Sequence, residues 1–99
     1  MEEVKRYTFT YSLTARDVIR KLPPTVKPAI KNEIEELVVN PYQGKELIDD
    51  LAGFRSLVIG KYRIIYRLDE DARVIQVYFI GHRRDVYTKF KELLLAVKE

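Results

Sequence analysis

Apolar and polar residues recur along the chain with spacings that predict its elements. Aromatic residues occupy every second position from residue 7 to residue 11, which predicts a first strand. The apolar residues of 18–22 and of 26–38 recur at helical spacing and predict two helices. Pro23-Pro24 and Asn40-Pro41 end these helices, because proline lacks the amide donor and restricts the residue before it. The N-terminal half is therefore predicted to be a strand followed by two antiparallel helices.

Short polar residues mark where the two helices begin. Ser12 or Thr14 is expected to cap the first helix, and Thr25 the second, because their hydroxyl groups can accept a bond from an amide of the first turn. Pro28 is tolerated in the first turn of the second helix, where amides lack partners within the helix.

A hairpin is predicted in the middle of the chain. Two β-rich runs, 54–59 and 62–68, flank the glycine-led pair Gly60-Lys61, which favours a type II′ turn. A two-residue loop sets the register, so Ile59 is expected to pair with Tyr62.

This register divides the side chains of the hairpin between two faces. The face expected under the helices carries six apolar or aromatic residues and one arginine: Arg55, Leu57, Ile59, Tyr62, Ile64, Tyr66 and Leu68. Arg63 and Arg67 are expected on the opposite face, pointing into the open concavity of the sheet.

The remaining chain completes an α+β pattern. Residues 74–80 are almost continuously apolar, which predicts a central strand covered on both faces. Apolar residues from Val86 to Val97 recur at helical spacing and predict a C-terminal helix. The order β-α-α-β-β-β-α predicts one α+β domain over residues 1–99. Its antiparallel twisted sheet would carry the two N-terminal helices on one face.

Composition limits the classes of function. A chain of 99 residues has no room for a second core. The absence of cysteine excludes disulfides, thiolate chemistry and Cys-based zinc sites, and a single histidine excludes a His-rich metal site. No apolar run is long enough to span a bilayer, and residues 1–6 lack the apolar segment of a secretory signal. We expect a cytoplasmic protein without a cysteine-based or histidine-rich metal site.

The positive charge belongs to the C-terminal half. Residues 1–53 hold 8 Lys+Arg and 9 Asp+Glu, a net charge of −1, whereas residues 54–99 hold 10 and 6, a net charge of +4. A polyanion is a natural partner for such a half, although a solvated basic face would give the same count.

Chemically capable residues gather where the last strand meets the last helix. His82, Arg83, Arg84 and Tyr87 lie within six residues of one another. A guanidinium group suits phosphate because its planar fork donates two bonds at once, and histidine can act as acid or base near neutral pH.

Two segments of the chain resemble the signature segments of the RelE/ParE toxin superfamily, nearer to its RelE branch. They are Gly-Lys-Tyr-Arg-Ile-Ile-Tyr at 60–66 and Ile-Gly-His-Arg-Arg-Asp-Val-Tyr at 80–87. Residues 51–57 and Asn40-Pro41 are also similar to the family pattern, so the resemblance covers nearly the whole chain. It implies the RelE-like microbial RNase-type fold.

The resemblance also implies a function. RelE-type proteins are toxins that enter the ribosomal A site and cut mRNA, and a cognate antitoxin holds them inactive. The implied chemistry is metal-independent and needs no cofactor: the 2′-hydroxyl attacks the adjacent phosphorus and expels the 5′-oxygen. On this basis we expect Arg63, Arg83, Tyr87 and His82 to be catalytic.

Three further cations, Lys61, Arg67 and Arg84, are expected to bind RNA. One departure from the family is Val58, which stands across from Arg63 where RelE-branch relatives often carry a basic residue.

Alternatives remain open at this point. A ParE-like relative would inhibit DNA gyrase without nuclease activity, and a catalytically weak relative would only bind its antitoxin. Residue by residue, Arg63 would then form a surface ion pair, and Arg84 would be solvated or paired with Asp85. His82 would be a polar residue at the sheet edge, and Tyr87 would anchor the last helix.

Overall fold

The structure, a computed structural model, describes residues 6–97. The expectation that the chain starts without a secretory segment concerns mainly residues 1–5, which lie outside that range. Within the described range no helix has both the length and the apolar character needed to cross a membrane.

Five strands, three α-helices and one short 3-10 helix make up the described chain. In order they are β1 (Thr8–Tyr11), α1 (Leu13–Lys21), α2 (Lys27–Val39), β2 (Lys45–Glu46), the 3-10 turn (Asp49–Leu51), β3 (Arg55–Ile59), β4 (Tyr62–Asp69), β5 (Val74–His82) and α3 (Val86–Val97). The predicted α+β order is confirmed. β2 and the 3-10 turn are additions in the segment between the second helix and the hairpin, for which the sequence pattern predicts no element.

The sheet has the order β1-β5-β4-β3-β2 and is mixed. β1 runs parallel to β5, while the other three pairs are antiparallel, so the expectation of a wholly antiparallel sheet is corrected at this one pair. A parallel pair needs a long crossover, which the helices and the hairpin between β1 and β5 supply.

The predicted hairpin register is confirmed. Ile59 lies opposite Tyr62, and Val58 lies opposite Arg63. Gly60 has a φ of 58°, and of the two loop residues it alone has a positive φ, as a type II′ turn requires.

The two faces of the sheet carry separate apolar clusters. On one face α1 and α2 pack over the residues predicted to lie there, including Ile64 and Tyr66, which are fully buried. On the other face α3 packs through Val86 and Phe90 against Ile65. The face expected to be an open concavity is therefore partly covered by the C-terminal helix.

A bulge in β5 lets two successive aromatic residues serve the α3 face. Ile65 pairs with Phe79 and Tyr66 pairs with Val77, which leaves Tyr78 as the extra residue. Tyr78 and Phe79 both pack in the α3 cluster, while Val77 stays in the α1–α2 cluster.

One of the two predicted helix caps is confirmed. Ser12 accepts a bond from the Ala15 amide at 3.0 Å and caps α1. The expected cap at Thr25 is wrong, because Val26 begins α2 without a side-chain cap. The Pro23 carbonyl accepts the amides of Val26 and Lys27 at 2.9 and 3.0 Å, so the turn itself supplies their partner.

The junction between β5 and α3 is tight. A Cβ on Gly81 would lie 2.9 Å from Cγ2 of Val86, so a larger residue would push the first turn of α3 away from the sheet. This close approach fixes where the next residue of the helix, Tyr87, meets the strands.

Candidate active site

Arg63 lies on β4, on the α3 face of the sheet, and is half-buried. Its neighbours across the two adjacent strands are Val58 and Gly81. The small and medium side chains at these positions leave room above the sheet, and Tyr87 fills part of that room. The guanidinium carbon of Arg63 lies 5.5 Å from the centroid of the Tyr87 ring.

Ser56 joins these two residues. Its side chain is only 2% exposed, and its hydroxyl oxygen accepts a bond from the Tyr87 hydroxyl at 2.9 Å. Nη1 of Arg63 donates to the same oxygen over 3.4 Å. The two strands of the hairpin, β3 and β4, and the C-terminal helix α3 therefore meet at one hydroxyl group.

The guanidinium of Arg63 keeps donors that no protein group satisfies. Its Nε is buried without a partner, and no carboxylate of residues 6–97 lies within ion-pair distance of it. A surface ion pair, the alternative considered for Arg63, does not form. An arginine with remaining donors beside a tyrosine ring can bind a phosphate.

Three more cations lie at the same end of the sheet. The amide of Arg83 donates to the carbonyl of Lys61 at 2.7 Å, so the end of β5 abuts the hairpin tip. Lys61, Arg83 and Arg84 are exposed. Arg84 does not pair with Asp85, whose carboxylate instead lies 3.6 Å from Nζ of Lys89. We call Lys61, Arg63, Arg83 and Arg84 the basic end.

His82 faces away from Arg63. It pairs across the sheet with Tyr62, which packs against the α1–α2 cluster, and the two ring centroids are 6.0 Å apart. Nδ1 of His82 accepts the amide of Arg84 at 3.3 Å. The structure therefore does not bring the histidine to the group formed by Arg63, Ser56 and Tyr87.

Arg67 is also separate from the basic end. It lies four residues beyond Arg63 on the same strand, roughly 13 Å away at the usual rise of a strand. Its guanidinium carbon lies 5.8 Å from the Phe54 ring, beside a cleft of about 510 Å³ that also contains Asp69, Glu70 and Asp71. These carboxylates make the cleft a poor place for phosphate.

The described residues also do not form a metal site. Within residues 6–97, His, Asp and Glu side chains form no group of three or more that could hold a metal ion.

Tyr87 both anchors α3 and borders open space. Its ring packs with the cluster around Leu51 and Phe90. It also lines a cleft of about 400 Å³ between α3 and the segment 45–51. The two roles expected as alternatives, an anchor and a site residue, are thus compatible in one side chain.

Sequence reasoning missed Ser56 as a member of this group. The predicted register places Ser56 on the same face as Arg63, where it is an uncharged position. The signal was present, because a lone small polar residue on the inner face of an otherwise apolar strand needs a partner when it is buried.

Comparison with known proteins identifies the family. Residues 10–87 match the family described as ParE toxin of the type II toxin–antitoxin system parDE. The chain belongs to the RelE/ParE toxin superfamily.

Curated relatives carry RelE-type names. Toxin RelG of Mycobacterium tuberculosis is 34% identical over 85 residues, which are 84% of this chain and 98% of the relative. Toxin RelE of the same organism is 28% identical over 89 residues, which are 88% of this chain and 92% of the relative. The family description and these names therefore point to different branches of the superfamily.

Solved structures agree with the fold. A chain of the toxin–antitoxin complex RelBE2 from Mycobacterium tuberculosis has a TM-score of 0.74 and 33% identity, covering 80% of this chain and 100% of that chain. The isolated Escherichia coli RelE toxin has a TM-score of 0.68 and 21% identity, covering 89% and 98%, which supports the fold alone. The RelE-like fold expected from the sequence is confirmed.

Proposed function

We propose that this toxin is a ribosome-dependent endoribonuclease that cleaves mRNA and is held inactive by a cognate antitoxin. The curated relatives named Toxin RelG and Toxin RelE support the RelE branch. The RelBE2 structure is that of a toxin–antitoxin complex, which supports an antitoxin as partner. Its substrate would place its action in the cytoplasm, and it would need no cofactor.

The observation that carries this proposal is the environment of Arg63. A half-buried arginine has donors without partners, lies over a tyrosine ring and stands beside three exposed cations. A protein surface evolved only to pack would satisfy these donors. A phosphate group would satisfy them here.

The proposed reaction is the one that the resemblance to RelE-type toxins implies. The 2′-oxygen attacks phosphorus and loses its proton, the bond from phosphorus to the 5′-oxygen breaks, and the 5′-oxygen gains a proton. The products are a 2′,3′-cyclic phosphate and a 5′-hydroxyl. Arg63 and Arg83 would stabilise the negative charge that develops on the phosphorane oxygens.

Tyr87 would act beside them by stacking on a base or by transferring a proton. The adjoining cleft of about 400 Å³ offers space for a base next to its ring. Lys61 and Arg84 would hold the flanking phosphates. His82 and Arg67 have less support for a direct role, because the first lies on the other face and the second has acidic neighbours.

The antitoxin would cover the same end of the sheet. The four cations of the basic end would bind acidic side chains of the antitoxin, and these side chains would compete with RNA for the same hydrogen-bond donors. Exposed apolar residues near α3, Ile48 and Leu95, are 74% and 67% exposed and would be buried by such a partner.

A second candidate is inhibition of DNA gyrase. The family description, that of ParE toxins, favours it.

A third candidate is a relative with weak nuclease activity or one that only binds its antitoxin. Val58 favours this candidate, because it leaves the position opposite Arg63 uncharged.

Primer extension on translated mRNA after induction of the toxin tests the proposal. Cleavage inside codons with 5′-hydroxyl ends is the expected result. In a purified system, a ribosome-bound mRNA with a single 2′-deoxynucleotide at the cut position should resist cleavage, while the matched all-ribose mRNA should be cut. Intact mRNA together with loss of gyrase supercoiling would favour the second candidate and contradict the first.

A further inference from the structure

Among residues 6–97, Ser56 and Tyr66 are the two buried residues that carry a hydroxyl group, and Ser56 is the one outside the α1–α2 face. It lies on β3, and it pairs across the strands with Ile65 in the α3 cluster. A hydroxyl group in apolar surroundings is stable only when it is hydrogen-bonded. Its partners therefore indicate why a polar residue is present here.

Both partners belong to the proposed site. The Tyr87 hydroxyl donates to Oγ of Ser56 at 2.9 Å, across 31 residues of sequence. Nη1 of Arg63 approaches the same oxygen at 3.4 Å. With the ring of Tyr87 5.5 Å from the guanidinium carbon, the three groups form a closed triangle.

Without Oγ of Ser56, the side chains of Arg63 and Tyr87 would both lose the hydrogen-bond acceptor that they share. Arg63 has four rotatable bonds in its side chain, its buried Nε has no partner, and its one side-chain hydrogen bond among the described residues is the one to Oγ of Ser56. Tyr87 lies in the first turn of α3, and its bond to Ser56 is a polar tie between that turn and β3.

We propose that Ser56 is a positioning residue, which holds the Tyr87 hydroxyl and the Arg63 guanidinium in the arrangement that receives the scissile phosphate. This inference rests on the proposed endoribonuclease function and deepens it. A neutral hydroxyl group suits this buried position on β3, because burying it costs less free energy than burying a charged side chain such as that of lysine. The cations then come from β4 and from the end of β5.

The test compares Ser56→Ala, which removes the oxygen, with Ser56→Thr, which keeps it. Single-turnover cleavage of ribosome-bound mRNA by Ser56→Ala should be slower by roughly 10- to 100-fold, as a misplaced catalytic group predicts. Half-saturation by ribosomes should change by less than about twofold, since Lys61, Arg83 and Arg84 remain for binding. Ser56→Thr should recover most of the rate.

A spectroscopic readout on the free protein accompanies the rates. In protein with ¹³C-labelled tyrosine, the Cζ resonance of Tyr87, assigned with Tyr87→Phe, should move in Ser56→Ala and stay near its wild-type position in Ser56→Thr. Thr88→Ala is the matched control, because it removes an exposed hydroxyl from the next residue of α3. It should change neither the rate nor the resonance.

The outcomes separate the two proposals. If wild-type protein cleaves and Ser56→Ala cleaves equally fast, the positioning role is wrong while the nuclease function stands. If wild-type protein leaves ribosome-bound mRNA intact, both are wrong. Should Ser56→Ala melt below the assay temperature, Ser56→Cys replaces it; sulfur accepts weakly, so a wild-type rate in that folded variant would overturn the inference.

Discussion

Arg55 and Arg63 lie on neighbouring strands, point to opposite faces of one sheet and use their guanidinium groups differently. Nη1 of Arg55 donates to the Gly44 carbonyl at 2.7 Å, and Nη2 pairs with Glu46 at 3.0 Å. Among the described residues, the guanidinium group of Arg63 makes a single hydrogen bond, of 3.4 Å, to Ser56. The same residue type is a structural tie where the chain supplies acceptors, and we propose that it is a binding group where the chain does not.

The surroundings of Arg55 extend this contrast. The buried hydroxyl of Tyr66 accepts the Gly44 amide at 2.9 Å and donates to the Pro41 carbonyl at 2.8 Å. A Cβ on Gly44 would clash with that hydroxyl, so the loop follows Tyr66 closely. We call residues 41–46 the pinned loop. Backbone groups of this loop are bonded to side chains of the sheet, whereas the side chains of Lys61, Arg83 and Arg84 in the basic end are exposed.

The largest effect is expected at the basic end. Arg83→Ala should slow cleavage of ribosome-bound mRNA by about 10²- to 10³-fold, because a donor for the developing charge is lost. Its melting temperature should be unchanged, since the bond from its amide to Lys61 does not involve the side chain. Arg16→Ala, which removes an exposed arginine from α1, is the matched control for net charge. Equal cutting by Arg83→Ala and wild type would remove Arg83 from the site.

A substitution that removes the contacts of the pinned loop should lower stability and leave cleavage unchanged. Tyr66→Phe leaves the Gly44 amide and the Pro41 carbonyl without their partner in a buried place, which should lower the free energy of unfolding by about 2 kcal/mol. Urea denaturation at pH 7 measures this. Cleavage per folded molecule should not change; a loss of cleavage in the folded variant would show that the two ends are coupled.

Tyr66 should also make the free energy of unfolding depend on pH. Burial raises the pKa of Tyr66 above its ordinary value of 10.0, against smaller opposing effects of the Gly44 amide and Arg55. The folded state therefore keeps the proton more tightly than the unfolded state. Its contribution to stability is fully present below pH 10 and is lost as the pH rises through the raised pKa.

Stability measured from pH 8 to pH 12 should fall less steeply in Tyr66→Phe than in wild type. Part of the slope should remain, because burial raises the pKa of Tyr11 and a hydrogen bond to Glu70 raises the pKa of Tyr42. Identical slopes for the variant and wild type would contradict the assignment to Tyr66.

A smaller effect should follow from adding a cation to the basic end. Val58 is 48% exposed and lies opposite Arg63. Val58→Lys should raise the cleavage rate by roughly three- to tenfold, since another positive charge would face the phosphate. Val39→Lys, at a position 82% exposed at the end of α2, makes the same change of charge elsewhere. An equal gain in both variants would indicate a general effect of charge.

The smallest effect is expected from the histidine. His82→Ala removes a ring that lies on the Tyr62 side of the sheet, so cleavage should stay within about threefold of wild type, the range of a group without contact to the transition state. A loss of tenfold or more in single-turnover assays would place His82 in the reaction.

Local pattern was enough to predict the hairpin, the three α-helices and every strand except β2. The two-residue turn at Gly60 set the pairing of Ile59 with Tyr62, and alternation then assigned faces correctly along β4. The parallel pairing of β1 could not be read this way, because it depends on contacts between residues that are far apart, such as Phe9 and Ile75.

The candidate site was predicted in its parts but not in its arrangement. Arg63 and Tyr87 were named from the resemblance, and the structure brings them together. Ser56 was missed because its importance comes from three elements meeting in space. The grouping of His82 with Tyr87 came from nearness in sequence, whereas pairing opposite Tyr62 turns the ring to the other face.

The contrast between the two arginines has one direct test. Arg55→Ala and Arg63→Ala are each measured for cleavage of ribosome-bound mRNA and for thermal melting. We predict that Arg63→Ala loses cleavage and keeps its melting temperature, while Arg55→Ala melts earlier and cleaves normally when folded. Normal cleavage by Arg63→Ala would contradict the assignment of the basic end as the active site.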